Sequence, residues 1–87
     1  MFSFVLYSRS YCHLCEDMLS ALKKLAGDEV MVEVIDIDAA GNEALLAAYD
    51  ELVPVLIGRR AGGSDRQLCH YFLDESKLSA FVSGARS

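Results

Sequence analysis

Two short strand-like runs separated by one helical stripe constrain this chain more than any other feature. Phe2 to Tyr7 (FSFVLY) is short, apolar and rich in aromatics, the pattern of a buried strand. Val30 to Ile37 (VMVEVIDI) is β-branched and nearly continuous, which predicts a second strand. Between them, from Tyr11 to Ala26, apolar residues fall at Cys15, Met18, Leu19, Leu22, Leu25 and Ala26. Those spacings of three and four place one stripe on one face of a helix. Ser10 is the candidate N-cap, and Gly27 sits where a left-handed C-terminal residue is wanted. A crossover of roughly 20 residues is long enough for a parallel βαβ unit, which is right-handed in nearly every case.

The remainder continues the alternation. Asp38 or Asn42 can cap a second helix with Leu45, Ala48, Tyr49 and Leu52 on its inner face. Val53 and Pro54 end it, because proline pushes the residue before it out of the α region. Val55-Leu56-Ile57 is a third strand closed by Gly58, and residues 59–66, with Gly62-Gly63-Ser64, read as a long hairpin loop. Gln67 to Phe72 is the fourth strand. Asp74 caps a last helix that turns Leu78, Phe81 and Val82 inward, before a frayed Gly84-Ala85-Arg86-Ser87. The order βαβαββα over residues 1–87 predicts one α/β domain, with helices covering a mostly buried sheet.

Composition excludes several functions. A chain of 87 residues buries only about 60% of its unfolded surface, so its core must be used efficiently. A 53% apolar content with a single proline meets that demand. No apolar run approaches the ~20 residues that span a bilayer, and the N-terminal stretch lacks a basic segment and a cleavage site. A cytoplasmic protein with no membrane partner is therefore expected. The formal charge of −5, from 13 acidic and 8 basic residues, discourages nucleic-acid binding. Lys23-Lys24 and Arg59-Arg60 are too short to change that and read as solvated surface charge. No heptad seam or long exposed apolar stripe calls for a second copy, so a monomer is expected.

The chemistry resides in Tyr11-Cys12-His13-Leu14-Cys15. A Cys-x-x-Cys between a strand and a helix start is the context in which the motif is redox-active. Backbone N–H groups at a helix N-terminus lack intrahelical partners and carry the positive end of the macrodipole. A thiolate there is stabilised, its pKa falls, and the thiolate is the species that attacks a disulfide. The odd count of three cysteines argues against a secreted disulfide framework. Cys69 and His70 suggest a metal site with Cys12 and Cys15. Neighbours on a strand point to opposite faces, so no metal is expected and Cys69 reads as a small core residue.

Together the dithiol, its strand–helix context, Arg9 three residues before Cys12, and Val53-Pro54 before the third strand resemble the glutaredoxins of the thioredoxin superfamily. The resemblance implies a thioredoxin-like fold, a four-stranded mixed sheet flanked by three helices. It implies a thiol–disulfide oxidoreductase with Cys12 as nucleophile and Cys15 as resolving thiol. The substrates would be protein disulfides or glutathione mixed disulfides, with no tightly bound cofactor and glutathione as a co-substrate. Val53-Pro54 corresponds to the family's residue and cis-proline facing the dithiol, where freed backbone groups pair with substrate. Arg9 would steer an anionic group such as a glutathione carboxylate, or stabilise the thiolate.

Tyr11 and Tyr71 would flank the site. His13, as imidazolium, would raise the reduction potential; as an exposed helix-start residue it would do little. Asp36 and Asp38 read as strand-end and cap residues. The chain departs from the family in His13-Leu14, where Pro-Tyr is usual. It also has Cys69-His70-Tyr71-Phe72-Leu73-Asp74 where glutaredoxins carry Gly-Gly near the end of the fourth strand. These departures bear on the glutathione site rather than on the fold. The alternative function is a non-catalytic binding module or iron–sulfur cluster carrier on the same scaffold, since a thiolate at Cys12 also suits a cluster.

Overall fold

The structure is a computed structural model that describes residues 2–27, 29–60, 62, 63 and 65–86, with the backbone alone at 85 and 86. Its elements run β1 (Phe2–Ser8), α1 (His13–Ala26), β2 (Val32–Asp36), α2 (Glu43–Tyr49), β3 (Val55–Arg60), β4 (Arg66–His70) and α3 (Glu75–Arg86). The strands form one mixed sheet in the order β2-β1-β3-β4. β1 and β2 are parallel, while β1–β3 and β3–β4 are antiparallel. The expected βαβαββα arrangement is the one observed. No helix among the described residues is long and apolar enough to cross a membrane.

β1 is apolar at consecutive positions because it is central and covered on both faces. Successive side chains of a strand alternate. Phe4 and Leu6 join Met18 and Leu22 of α1, Leu56, Leu68 and Cys69 of the sheet, and Leu78 and Phe81 of α3. Val5 points the other way, to Val55 and Ile57, with Tyr7, Ile35, Tyr49 and Leu52 packed around them. The first face carries two helices of 14 and 12 residues, and the second only the seven-residue α2. Each fully buried Leu or Phe contributes about 1.5–3 kcal/mol relative to exposure, so most hydrophobic stabilisation lies on the α1–α3 face.

Several local expectations shift. Cys12, not Ser10, is the N-cap of α1, because the helix begins two residues later than Tyr11. Leu25, placed on the inner stripe, is 51% exposed in the last turn. Gly27 does adopt a positive φ of 102°, but with ψ 148°, outside the left-handed helical well. On α2, Ala48 is exposed and Leu46 is half-buried instead. Of the two proposed α2 caps, Asn42 takes the N-cap position, its carbonyl accepting the Leu46 N–H at 3.0 Å while its side-chain amide donates to the Asp36 carbonyl rather than capping; Asp38 pairs with Arg9 instead. α2 ends at Tyr49, so a turn separates it from Val53-Pro54.

Gly58 does not close β3; the strand continues through it to Arg60. Its role is close approach, since a Cβ there would lie 2.7 Å from the Phe81 ring. The hairpin connection is correspondingly short, with residues 61 and 64 outside the described set. β4 ends at His70, two residues before the expected Phe72. A register shift opposite Leu56 and Ile57 lets the neighbours Leu68 and Cys69 enter the same core cluster. Asp74 accepts the Lys77 N–H at 3.0 Å, as expected of a cap. α3 runs to Arg86, so Gly84 is helical rather than frayed, and Ser87 lies outside the described residues.

Candidate active site

The register gathers four chain segments at one edge of the sheet. Ser8 at the end of β1 pairs Asp36 at the end of β2, Tyr7 pairs Val55 at the start of β3, and Val55 pairs His70 at the end of β4. The β1–α1 loop, the residues after β2, Val53-Pro54 and the β4–α3 connection therefore all emerge on this side.

Tyr11 turns the β1–α1 loop with a positive φ of 59° and stands fully exposed. Cys12 follows in extended backbone (φ −104°, ψ 101°), and its carbonyl accepts the Glu16 N–H at 3.2 Å. Its Sγ accepts the Cys15 N–H at 3.1 Å. A sulfur is thus aimed at an otherwise unpartnered donor of the first helical turn, where the helix field favours negative charge. Cys15 lies one turn along the helix, with Cα atoms 5.2 Å apart, and the two are joined as a disulfide. Cys12 is half-buried whereas Cys15 is 3% exposed. The pair is therefore asymmetric: one sulfur reachable from solvent, the other beneath it.

The Arg9 guanidinium is held by two carboxylates. Nε and Nη2 donate to Asp38 Oδ2 and Oδ1 at 3.0 and 2.8 Å, a bidentate fork. Nη1 donates to Asp50 Oδ1 at 3.0 Å and to the Asp50 carbonyl at 3.1 Å. Arg9 is thereby held more firmly protonated than usual, first by its hydrogen bonds to Asp38 and then by that to Asp50. The bonds to Asp38 hold its carboxyl below the usual carboxylate range. Asp38 is further placed by its own N–H, which donates to Asp36 Oδ1 at 2.8 Å. Arg9, expected to steer an anionic group, thus has its charge balanced by two carboxylates and ties the loop before Cys12 to the ends of β2 and α2.

The remaining candidates are placed as follows. The His13 side chain is 95% exposed, with Nδ1 3.9 Å from Glu16 Oε2. The Val53–Pro54 peptide is cis, and Pro54 is buried. The Val53 N–H, expected to be free, donates to the Tyr49 carbonyl at 3.2 Å, so only the Val53 carbonyl remains for a substrate backbone. The Pro54 carbonyl accepts the Tyr71 N–H at 2.9 Å, which joins the proline segment to the end of β4. Cys69 is a free, buried thiol whose pKa burial pushes up, so it stays protonated and inert at neutral pH. His70, its neighbour, is exposed. Among the described residues no group of three or more His, Cys, Asp or Glu could hold a metal ion.

Sequence reasoning missed two features. Asp50 as a partner of Arg9 had no signal, being 41 residues away. Leu14 and Phe72 are exposed beside the dithiol segment rather than buried. Tyr71 (φ 64°) breaks β4 and turns Phe72 outward, while its hydroxyl donates to the Glu51 carbonyl.

Comparison with known proteins decides the family. The family model described as Glutaredoxin-like domain (DUF836) matches residues 3–83. The chain belongs to that glutaredoxin-like family. Among solved structures, it is similar to structural-genomics target protein XcR50 from X. campestris, at 30% identity and a TM-score of 0.65, covering 95% of this chain and 99% of that one. It shares its fold with thioredoxin O1 from Arabidopsis thaliana in the oxidized state (TM-score 0.66, 21% identity, 100% of this chain and 79% of that one). A buckwheat glutaredoxin–glutathione complex gives a TM-score of 0.60 at 18% identity, covering 98% and 80%. No curated protein matches the chain. The glutaredoxin-like fold with its Cys12–Cys15 disulfide supports a role in thiol redox chemistry.

Proposed function

We propose that this glutaredoxin-like chain is a thiol–disulfide oxidoreductase that reduces protein disulfides or glutathione mixed disulfides. The observation that carries the reading is the asymmetry of the pair at the start of α1. The more accessible Cys12 Sγ receives the Cys15 N–H, and Cys15 is buried one turn behind it.

In the reduced protein, the Cys12 thiolate attacks one sulfur of a substrate disulfide. A Cys12–substrate S–S bond forms, and the substrate's other sulfur leaves as a thiolate that takes up a proton. The Cys15 thiol loses its proton and attacks Cys12 Sγ. The Cys12–Cys15 bond then forms and the second substrate thiol is released. Two electrons and two protons have passed to the substrate, which leaves as two thiols. Glutathione or a dithiol reductant returns the pair to the thiol state. The glutathione held by the buckwheat glutaredoxin makes that tripeptide a reasonable candidate for this step.

Single replacements separate the two sulfurs. Cys15→Ser should accumulate a mixed disulfide on Cys12, visible by intact-mass measurement, and Cys12→Ser should give no adduct. Adducts of equal abundance in both variants would refute the assigned roles.

A further inference from the structure

The groove beside the dithiol has a chemistry of its own. Leu14, Asp17, Met18 and Ala21 are spaced i, i+3, i+4 and i+7, one stripe of α1, and Tyr71 and Phe72 of the β4–α3 connection form the opposite wall. The groove starts between the two cysteines in sequence, at Leu14, and runs about 10 Å along the helix. Its volume is about 170 Å³, and a cavity of ~150 Å³ holds a benzene ring. Phe72 is 70% exposed, and Leu14 and Tyr71 each 38%. Clustered exposed apolar groups mark an interaction surface.

Its charge is one-sided. Asp17 lines the groove and Glu16 is exposed beside it, in a chain of formal charge −5. The cation nearest in sequence before the dithiol, Arg9, is held by Asp38 and Asp50. Arg59, Arg60 and Arg66 lie at the opposite edge of the sheet, where Arg60 pairs Phe2 and Arg66 pairs Gly58. Lys23 and Lys24 occupy the last turn of α1. Lys77 lies outside β4, beside Arg66 and Gln67.

On the reading that Cys12 exchanges disulfides, we infer that this groove selects a polypeptide disulfide whose cysteine is flanked by a large apolar side chain and a Lys or Arg, in preference to glutathione. The apolar side chain seats between Leu14 and Phe72, and the cation meets Asp17. Glutathione, with two carboxylates against one ammonium and no large apolar group, has nothing to place in the groove and is repelled by its acid. The cationic contribution acts on the rate of encounter and weakens with salt.

The test uses the reduced full chain and three probes: two peptide disulfides identical except for Phe-Lys or Ser-Glu beside the cysteine, and oxidised glutathione. The Phe-Lys peptide should be reduced with kcat/KM at least tenfold above both others. Asp17→Lys and Phe72→Ser should each lower that ratio severalfold, while circular dichroism shows the fold retained. Equal kcat/KM for the three probes, with exchange intact, overturns the groove assignment alone. Reduction of none of them refutes the oxidoreductase reading and the inference with it. A dimer in solution that Phe72→Ser splits would assign the groove to a second copy and also overturn the inference.

Discussion

The two flanks of Cys12 are built from opposite materials. On one side the loop is locked by charge: Arg9 bridges Asp38 after β2 and Asp50 after α2. On the other, α1 and the β4–α3 connection leave Leu14, Tyr71 and Phe72 open to solvent around an acidic residue. The locked flank uses its cation internally and so offers little to an incoming anion. The open flank is tied down at Tyr71, through its N–H to the Pro54 carbonyl and its hydroxyl to the Glu51 carbonyl, but leaves its apolar surface uncovered. On the proposed reading, holding the nucleophile and choosing its partner are therefore separate tasks, given to separate sides.

That division can be broken in graded ways. The largest effect is expected from Cys12→Ser, which should abolish reduction of every disulfide in a stopped assay, because Cys15 and Cys69 are both buried. Gly58→Ala should destabilise the α1–α3 core on which both flanks are built, from the far edge of the sheet. The added methyl meets the Phe81 ring at 2.7 Å, and overpacking of this kind costs about 1–3 kcal/mol, read from the midpoint of urea unfolding. Arg9→Ala should unlock the first flank and lower kcat/KM for all disulfides alike by roughly tenfold, since misplacing a reacting group by about an ångström costs up to ~10². A loss confined to glutathione would show instead that Arg9 binds substrate.

A smaller effect is expected from acid. The Asp38 carboxyl is held below its unfolded value, so the Arg9–Asp38 pair stabilises the fold fully above about pH 4 and is lost as pH falls through the depressed folded value. Asp38→Asn should flatten that part of the urea midpoint–pH profile. An unchanged profile would show that the clamp adds nothing to the fold. Smallest of all, His13→Gln should leave the reduction potential nearly where it was, because the ring stands in solvent beside Glu16, where electrostatic effects are screened. A clear shift would place the imidazole in the field of Cys12.

Legibility in the sequence followed the range of the interactions. The α1 stripe at Met18 and Leu22 and the two-sided burial of β1 rest on local periodicity, and both are as read. Residue type alone favours Ser10 as the cap of α1, whereas Cys12 caps it through its own sulfur. Gly58 reads as a strand terminator until Phe81, 23 residues later in the chain, is known to lie against it. Phe72 belongs to an apolar run that continues β4, and only the positive φ of Tyr71 turns it out of the sheet. The site divides in the same way. Cys12, Cys15 and Pro54 stand out as a pattern, whereas the capture of Arg9 by Asp50 depends on where α2 ends.

The proposed function requires Cys12 and Cys15 to form a working redox pair. It is tested most directly by equilibrating the protein against a series of glutathione ratios and reading thiol and disulfide by intact mass. A reversible two-electron transition is expected between about −270 and −200 mV, within the range of thioredoxins and glutaredoxins. A protein that stays fully reduced at every ratio, forming neither the Cys12–Cys15 disulfide nor a glutathione adduct, would contradict it.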